Sequence, residues 1–150
     1  AYGQTGSGKS HSMVGDVGSE AEKGILPRAC AQLFDMLASK SDACSGFQAT
    51  VLASYLEIYN EKVFDLLGSA RDQKAAGMQI RLHPHLGVIV VNLTECPVQS
   101  FGEAQELLDF GAKRRAVAAT QMNATSSRSH SVFTVQINTC VSTESNSVVT

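Results

Sequence analysis

GQTGSGKS occupies residues 3–10. Gly3, Gly8, Lys9 and Ser10 fill the fixed places of the pattern G-x-x-x-x-G-K-[ST], and Gly6 loosens the loop between them. Glycines let such a loop take positive φ and bring backbone N–H groups close to a ligand. A helix beginning near Lys9 points its own unpaired N–H groups the same way. The result is a nest for phosphate, normally entered from a β-strand and left through an α-helix, so an α/β chain is expected. Lys9 would neutralise the β- and γ-phosphates of a nucleotide, and the Ser10 hydroxyl would be a ligand of Mg²⁺. The plain alternative is a flexible Gly/Ser turn.

Composition frames this loop. The chain has 150 residues, 43% hydrophobic and 17% charged, which suits one core of ordinary single-domain size. A net charge of −2 carries no global basic signature, so nucleic acid is not expected as a partner. No run approaches the roughly 18 consecutive apolar residues of a membrane span, and none resembles a secretory signal. No direct membrane insertion is expected, and the chain reads as cytoplasmic. Cys30, Cys44, Cys96 and Cys140 are widely spaced, with no C-x-x-C and no paired Cys/His spacing for zinc, and read as reduced, mostly buried side chains.

Helical and strand patterns alternate along the rest. The helix leaving the loop should run through about Met13, and residues 15–23 (GDVGSEAEK) form a polar loop. GILPRACAQLFDMLAS restarts a helix, because Pro27 suits a first turn and Leu26, Cys30, Leu33, Phe34 and Leu37 recur at helical spacing. Residues 48–59 (QATVLASYLEIY) are rich in β-branched and aromatic side chains and predict a long strand, with Tyr55 and Tyr59 on one face as sheet packing. EKVFDLL, after Asn60, reads as a short helical turn. Strands at about 78–82 and 88–93, around a turn at 84–87, make a hairpin arm. Ser100 and Glu103 form a capping-box signature, and Ala104, Leu107, Leu108 and Gly111 continue as one helical face. Lys113, Arg114 and Arg115 near that helix's end read as charges on a solvated face that complement its dipole. VFTVQI (132–137) predicts a further strand, and SNSVVT at 145–150 the start of another.

A second chemical feature, NATSSRSH, spans residues 123–130. Polar loops of Ser, Thr and Asn are ordinary turns. Here Asn123, Ser126, Ser127, Arg128 and Ser129 place hydroxyl, amide and guanidinium donors in one short segment, which is what a loop needs to sense a γ-phosphate and hold an attacking water.

GQTGSGKS, GILPR, SYLEIYNEKVFDLL and NATSSRSH, in this order, resemble the motor domain of kinesins, and the resemblance covers essentially the whole chain. Residues 80–95 (IRLHPHLGVIVVNLTE) and 117–130 (VAATQMNATSSRSH) are most similar to the third kinesin subfamily, which carries vesicles and organelles. Myosins have a similar phosphate loop and an N-x-x-S-S-R segment. They continue with Phe-Gly where this chain has Ser129 and His130, and separate the two motifs by a much longer chain.

The resemblance implies an α/β fold of P-loop NTPase type, a three-layer sandwich with a central mixed sheet, incomplete at both ends. It implies ATP and Mg²⁺ as cofactors and microtubules as partner, a cytoplasmic, microtubule-associated location, and an unknown cargo. Gly3, Gln4, Thr5, Gly6, Ser7, Gly8, Lys9 and Ser10 would wrap the phosphates, with His11 packing against adenine. Asn123, Ser126, Ser127 and Arg128 would form the catalytic first switch, and Ser10 and Ser126 would hold the metal. Arg115 matches an arginine that links the helix before the switch to the nucleotide site. The hairpin at 83–87 corresponds to a microtubule-contacting loop, although two histidines and Arg81 alone do not require tubulin.

Residues 1–150 are thus expected to form a partial motor domain, from phosphate loop to first switch. Only Ala1 and Tyr2 precede Gly3, so most of the strand feeding the loop lies outside this sequence, and no hydrophobic strand ends in the Asp of a D-x-x-G-S-E second switch. The expected function is ATP hydrolysis coupled to movement along microtubules in a complete protein, with the isolated stretch poorly soluble or loosely folded and inactive. The alternative is a nucleotide-binding, non-motile degenerate motor retained as a scaffold, distinguished by loss of that second switch.

Overall fold

The computed structural model describes residues 1–4, 6–16, 18–69, 77–121 and 129–142. In chain order the elements are α1 (Lys9–Met13), α2 (Ile25–Ala43), β1 (Phe47–Tyr59), β2 (Lys62–Asp65), β3 (Ile80–His83), β4 (Gly87–Val90), β5 (Cys96–Val98), α3 (Phe101–Gln121) and β6 (Ser129–Val141). Strand β1 organises them. β6 runs antiparallel along one entire edge, from Phe47↔Val141 to Tyr59↔Ser129. The other edge is shared end to end: β5 takes Val51, Leu52 and Ala53, and β2 takes Leu56 to Tyr59. All pairings among the described strands are antiparallel, and residues 1–4, leading into the phosphate loop, are not in a strand.

The period of two along β1 decides which side chains meet the helices. Val51, Ala53, Tyr55 and Glu57 are all buried, and Ile137, Val135, Phe133 and Ser131 stand opposite them on β6. Phe34 and Leu37 of α2 and Leu107 of α3 close around Val51, Ala53 and Val98. Leu26 of α2 and Leu108 of α3 gather with Tyr55 and Leu66. Phe133 belongs to both clusters and meets the Tyr55 ring edge-on, with centroids 5.4 Å apart. Such a pair contributes about 0.5–1.5 kcal/mol beyond its buried area.

Helix starts follow local chemistry. Pro27 is buried in the first turn of α2, where its missing N–H leaves no bond unmade. At α3 the Ser100 hydroxyl accepts the Glu103 N–H at 3.2 Å, and the Glu103 carboxylate reaches back to the Gln99 N–H at 2.8 Å. This is the expected capping box with its return arm one residue earlier.

Three differences from the sequence reading have physical causes. EKVFDLL contains no helical turn: Asn60 and Glu61 take φ of 49° and 62°, which folds the chain into a tight hairpin and makes KVFD the strand β2. β5 is an unforeseen strand with Pro97 at its centre, tolerated on a short outer strand that needs no donor there. The arm is a hairpin, as expected, but β4 ends at Val90, and Asn92 then turns the chain with φ of 59°. β6 is longer than the expected strand at both ends. The strand expected at 145–150 lies outside the described residues.

Helix α3 presses closely on β1, since a Cβ placed on Gly111 would stand 2.2 Å from Cδ1 of Tyr55. Gly111→Ala in the full-length protein is therefore expected to cost about 1–3 kcal/mol, read as a lower midpoint in urea unfolding. An unchanged midpoint would mean that the helix can withdraw without loss.

Candidate functional site

The phosphate loop takes the backbone its glycines were expected to take. Gly6 and Gly8 have φ of 83° and 80°, and, chain neighbours aside, no described residue lies within 4 Å of where either would carry a Cβ, so the loop has free space beside both glycines. Gly8 is the left-handed N-cap of α1. The Ser7 N–H closes a turn onto the Gln4 carbonyl at 3.2 Å. The Lys9 ammonium folds back into the loop and donates to the carbonyls of Gly3 at 2.5 Å and Gln4 at 2.6 Å. A cation is thereby parked at the mouth of an open glycine cradle. Ser10 and His11 are exposed on α1 beside it. Thr5 lies outside the described residues. An open concave backbone, a poised ammonium and a free-facing hydroxyl at Ser10 together fit the phosphates of a nucleotide with Mg²⁺.

The loop that follows the cradle is closed by paired backbone. Gly15 bridges to Lys23, and Arg28 of α2 donates to the carbonyls of Lys23 at 2.9 Å, Glu20 at 2.8 Å and Ala21 at 3.2 Å. The short α1 is thus linked to the first turns of α2. The Lys23 ammonium beside it, bonding first and attracting second, holds the Glu20 carboxyl below its ordinary value.

Asn123, Ser126, Ser127 and Arg128 lie outside the described residues; the chain on both sides of them does not. Arg115 of α3 donates through Nε to the Glu57 carboxylate at 2.9 Å, through Nη2 to the Ser129 hydroxyl at 2.9 Å and through Nη1 to the Ser131 hydroxyl at 3.2 Å. Register explains how one guanidinium reaches all three: Glu57 pairs with Ser131 and Tyr59 with Ser129, so the acceptors form a row on the helix-covered face. Arg114 also leaves solvent, donating to the carbonyls of Leu66 and Gly68. The reading of Lys113, Arg114 and Arg115 as solvated charges therefore holds for Lys113, which is exposed, and fails for the two arginines. Glu57 escaped the sequence reading, yet its parity with Val51, Ala53 and Tyr55 places a carboxylate on the core face, where it requires a cation.

His83 Nδ1 accepts the N–H groups of His85 and Leu86 at 3.2 and 3.1 Å and so builds the arm's turn. The cysteines are free, but only Cys30 is fully buried; Cys44 and Cys96 are half-buried and Cys140 is exposed. Burial pushes the Cys30 and Cys96 thiols up, and the Asp65 carboxylate adds to the effect at Cys96. A groove of about 770 Å³ between α2, β1 and the start of α3 is lined by Phe34, Leu37, Phe47, Val98 and Phe101, and no residue of the phosphate loop borders it.

The Glu57–Arg115 pair is testable in the full-length protein. The Arg115 side chain keeps 26% of its exposure against 12% for Glu57, so solvent discounts the loss. Arg115→Met should cost about 1–3 kcal/mol by leaving the carboxylate unpaired. The double variant with Glu57→Gln should be less damaging than the sum of the singles by about 1 kcal/mol. Strict additivity in urea unfolding would show that the pair contributes nothing.

The Kinesin motor domain family model matches residues 1–150. Kinesin-related protein 1 of Dictyostelium discoideum is 49% identical over 138 residues, covering 90% of this chain and 6% of that protein. Kinesin-like protein unc-104 of Caenorhabditis elegans is 47% identical over 135 residues, covering 90% of this chain and 8% of that protein. A solved structure of a fast kinesin superposes with a TM-score of 0.81 at 38% identity, over 92% of this chain and 37% of that one. The chain spans under a tenth of the length of these two curated relatives. The glycine cradle with its parked lysine, the α/β layering around β1 and the match along the whole chain agree: this chain belongs to the kinesin motor domain family.

Proposed function

We propose that this chain supplies the nucleotide loop and first switch of a motor that couples ATP hydrolysis to movement along microtubules. The observation that carries the reading is Lys9, whose ammonium is held by the Gly3 and Gln4 carbonyls at the mouth of the open loop. These are neutral acceptors. Phosphate oxygens would add to these bonds the attraction between opposite full charges, so the lysine stands where ATP would claim it. The backbone of Gly3, Gln4, Thr5, Gly6, Ser7, Gly8, Lys9 and Ser10 would hold the phosphates, His11 would face adenine, and Ser10 with Ser126 would hold Mg²⁺. The ion, when bound, offsets charge that grows on the phosphoryl oxygens. Asn123, Ser126, Ser127 and Arg128 would position the attacking water. Arg115 supports this role, because it fastens α3 to Ser129 and Ser131 on the far side of that segment.

The partner surface in this reading is the β3–β4 arm. Leu82, Leu86 and Val88 are 80%, 72% and 73% exposed, an apolar tip that a free hairpin has little reason to keep. Microtubules are the proposed occupant, which places the protein with the cytoskeleton in the cytoplasm. No helix among the described residues is long and apolar enough to cross a membrane. Residues 80–95 and 117–130 favour the vesicle-carrying third subfamily, and the cargo itself is left open.

In the full-length motor domain Lys9→Ala should weaken ATP binding by on the order of a few kcal/mol while the fold survives. Unchanged affinity in a fluorescent-nucleotide titration would remove the phosphate-binding role. Ser127→Ala or Arg128→Ala should slow microtubule-stimulated turnover far more than it weakens ADP binding. Equal losses in both would make residues 123–128 packing and not a switch.

A further inference from the structure

Asp65 is a buried carboxylate that the nucleotide chemistry does not use. It closes β2, and its Oδ1 accepts the N–H groups of Leu67 at 2.8 Å and Gly68 at 2.9 Å, while Oδ2 accepts the Thr94 N–H at 2.9 Å. Only glycine fits at 68, because a Cβ there would stand 2.7 Å from Oδ2 and 3.1 Å from the Thr94 hydroxyl. From the opposite side Arg114 of α3, its guanidinium 5.6 Å over the Phe110 ring, donates to the carbonyls of Leu66 and Gly68. One turn is therefore gripped twice. A β2 carboxylate holds its N–H groups and an α3 guanidinium holds its carbonyls.

The position of this grip matters because the arm is rooted there. Where the chain approaches the arm, the Met78 N–H donates to the Val63 carbonyl of β2 at 2.7 Å; where it returns, Thr94 is held by Asp65. The next residue along α3 after Arg114 is Arg115, which holds Ser129 and Ser131 at the start of β6. Two neighbouring side chains of one helix thus contact the root of the arm and the base of the second motif. Hydrogen bonds to charged groups are strong and directional, so they fix the orientation of the helix that close packing already holds against β1.

We infer that Asp65 and Arg114 are positioning residues that form the joint through which docking of the β3–β4 arm on its partner sets the place of α3 and, through Arg115, of the first residues of β6. The inference rests on the motor reading above and names the path by which the partner accelerates turnover. Neither residue touches the phosphate loop, so each acts on stimulation and not on the basal reaction.

The test uses Asp65→Asn and Arg114→Met in the full-length motor domain, with melting temperature, microtubule affinity, and steady-state ATPase with and without microtubules. The amide keeps only one acceptor oxygen, so Asp65→Asn loosens one side of the grip; Arg114→Met severs the other and leaves the carboxylate's bonds to Leu67, Gly68 and Thr94 in place. Basal turnover should stay within about twofold of wild type, while the ratio of stimulated to basal turnover falls by about fivefold or more. An unchanged ratio in a folded Arg114→Met variant overturns the joint, whatever Asp65→Asn does to folding. Equal loss of basal and stimulated turnover also overturns it, since that is what general loosening produces. A wild-type domain that microtubules do not stimulate would instead defeat the motor reading and the joint with it.

Discussion

Strand β1 is paired on both edges and covered by helices on one face, and most of the molecule's order follows from that constraint. A strand so enclosed has no freedom to slip, because a shift of one residue would exchange Val51, Ala53 and Tyr55 for Leu52, Ser54 and Leu56 on the helix side. The same parity buries Glu57, and an unpaired carboxylate there would cost several kcal/mol. Arg115 resolves this, and in doing so it joins α3 to β1 and β6 at once. Ser129, the described end of the second motif together with His130, is thereby tied to α3.

The phosphate loop stands apart from that core. Its described residues are mostly exposed, and among them Lys9 bonds to the Gly3 and Gln4 carbonyls and the Ser7 N–H to the Gln4 carbonyl. What anchors it is the link from α1 through the 15–24 loop to α2, braced by Arg28. α2 in turn packs Phe34 and Leu37 against β1. The described part of the loop is therefore an exposed segment set on a packed base.

Among the described residues, the buried carboxylates hold backbone or fasten elements together. Asp65 and Glu57 are buried at the ends of β2 and β1 on opposite faces of the sheet, and both meet structure contributed by distant sequence: Thr94 for the first, Arg115 for the second. Neighbouring arginines on α3 serve the turn beside the arm's root and the base of β6, so one helix links the two.

Much of this was legible in the sequence, for local reasons. Glycine spacing with Lys9 and Ser10 announced the phosphate loop, Pro27 and the Ser100–Glu103 box announced two helix starts, and the β-branched, aromatic run at 48–59 announced the central strand; each signal acts within a few residues. What tertiary structure decided were contacts over long separations. KVFD became a strand because a positive-φ turn at Asn60 and Glu61 laid it beside β1, although Val63, Phe64, Leu66 and Leu67 also suit a helix. CPV became a strand around a proline because β1 left that part of its edge open. Arg114 and Arg115 read as solvated because their partners stand far off along the chain, at Gly68 and Glu57, and only pairing register brings a carboxylate and two serines into a single guanidinium's reach. Periodicity determined which faces are apolar, and the packing of those faces determined which charges had to meet.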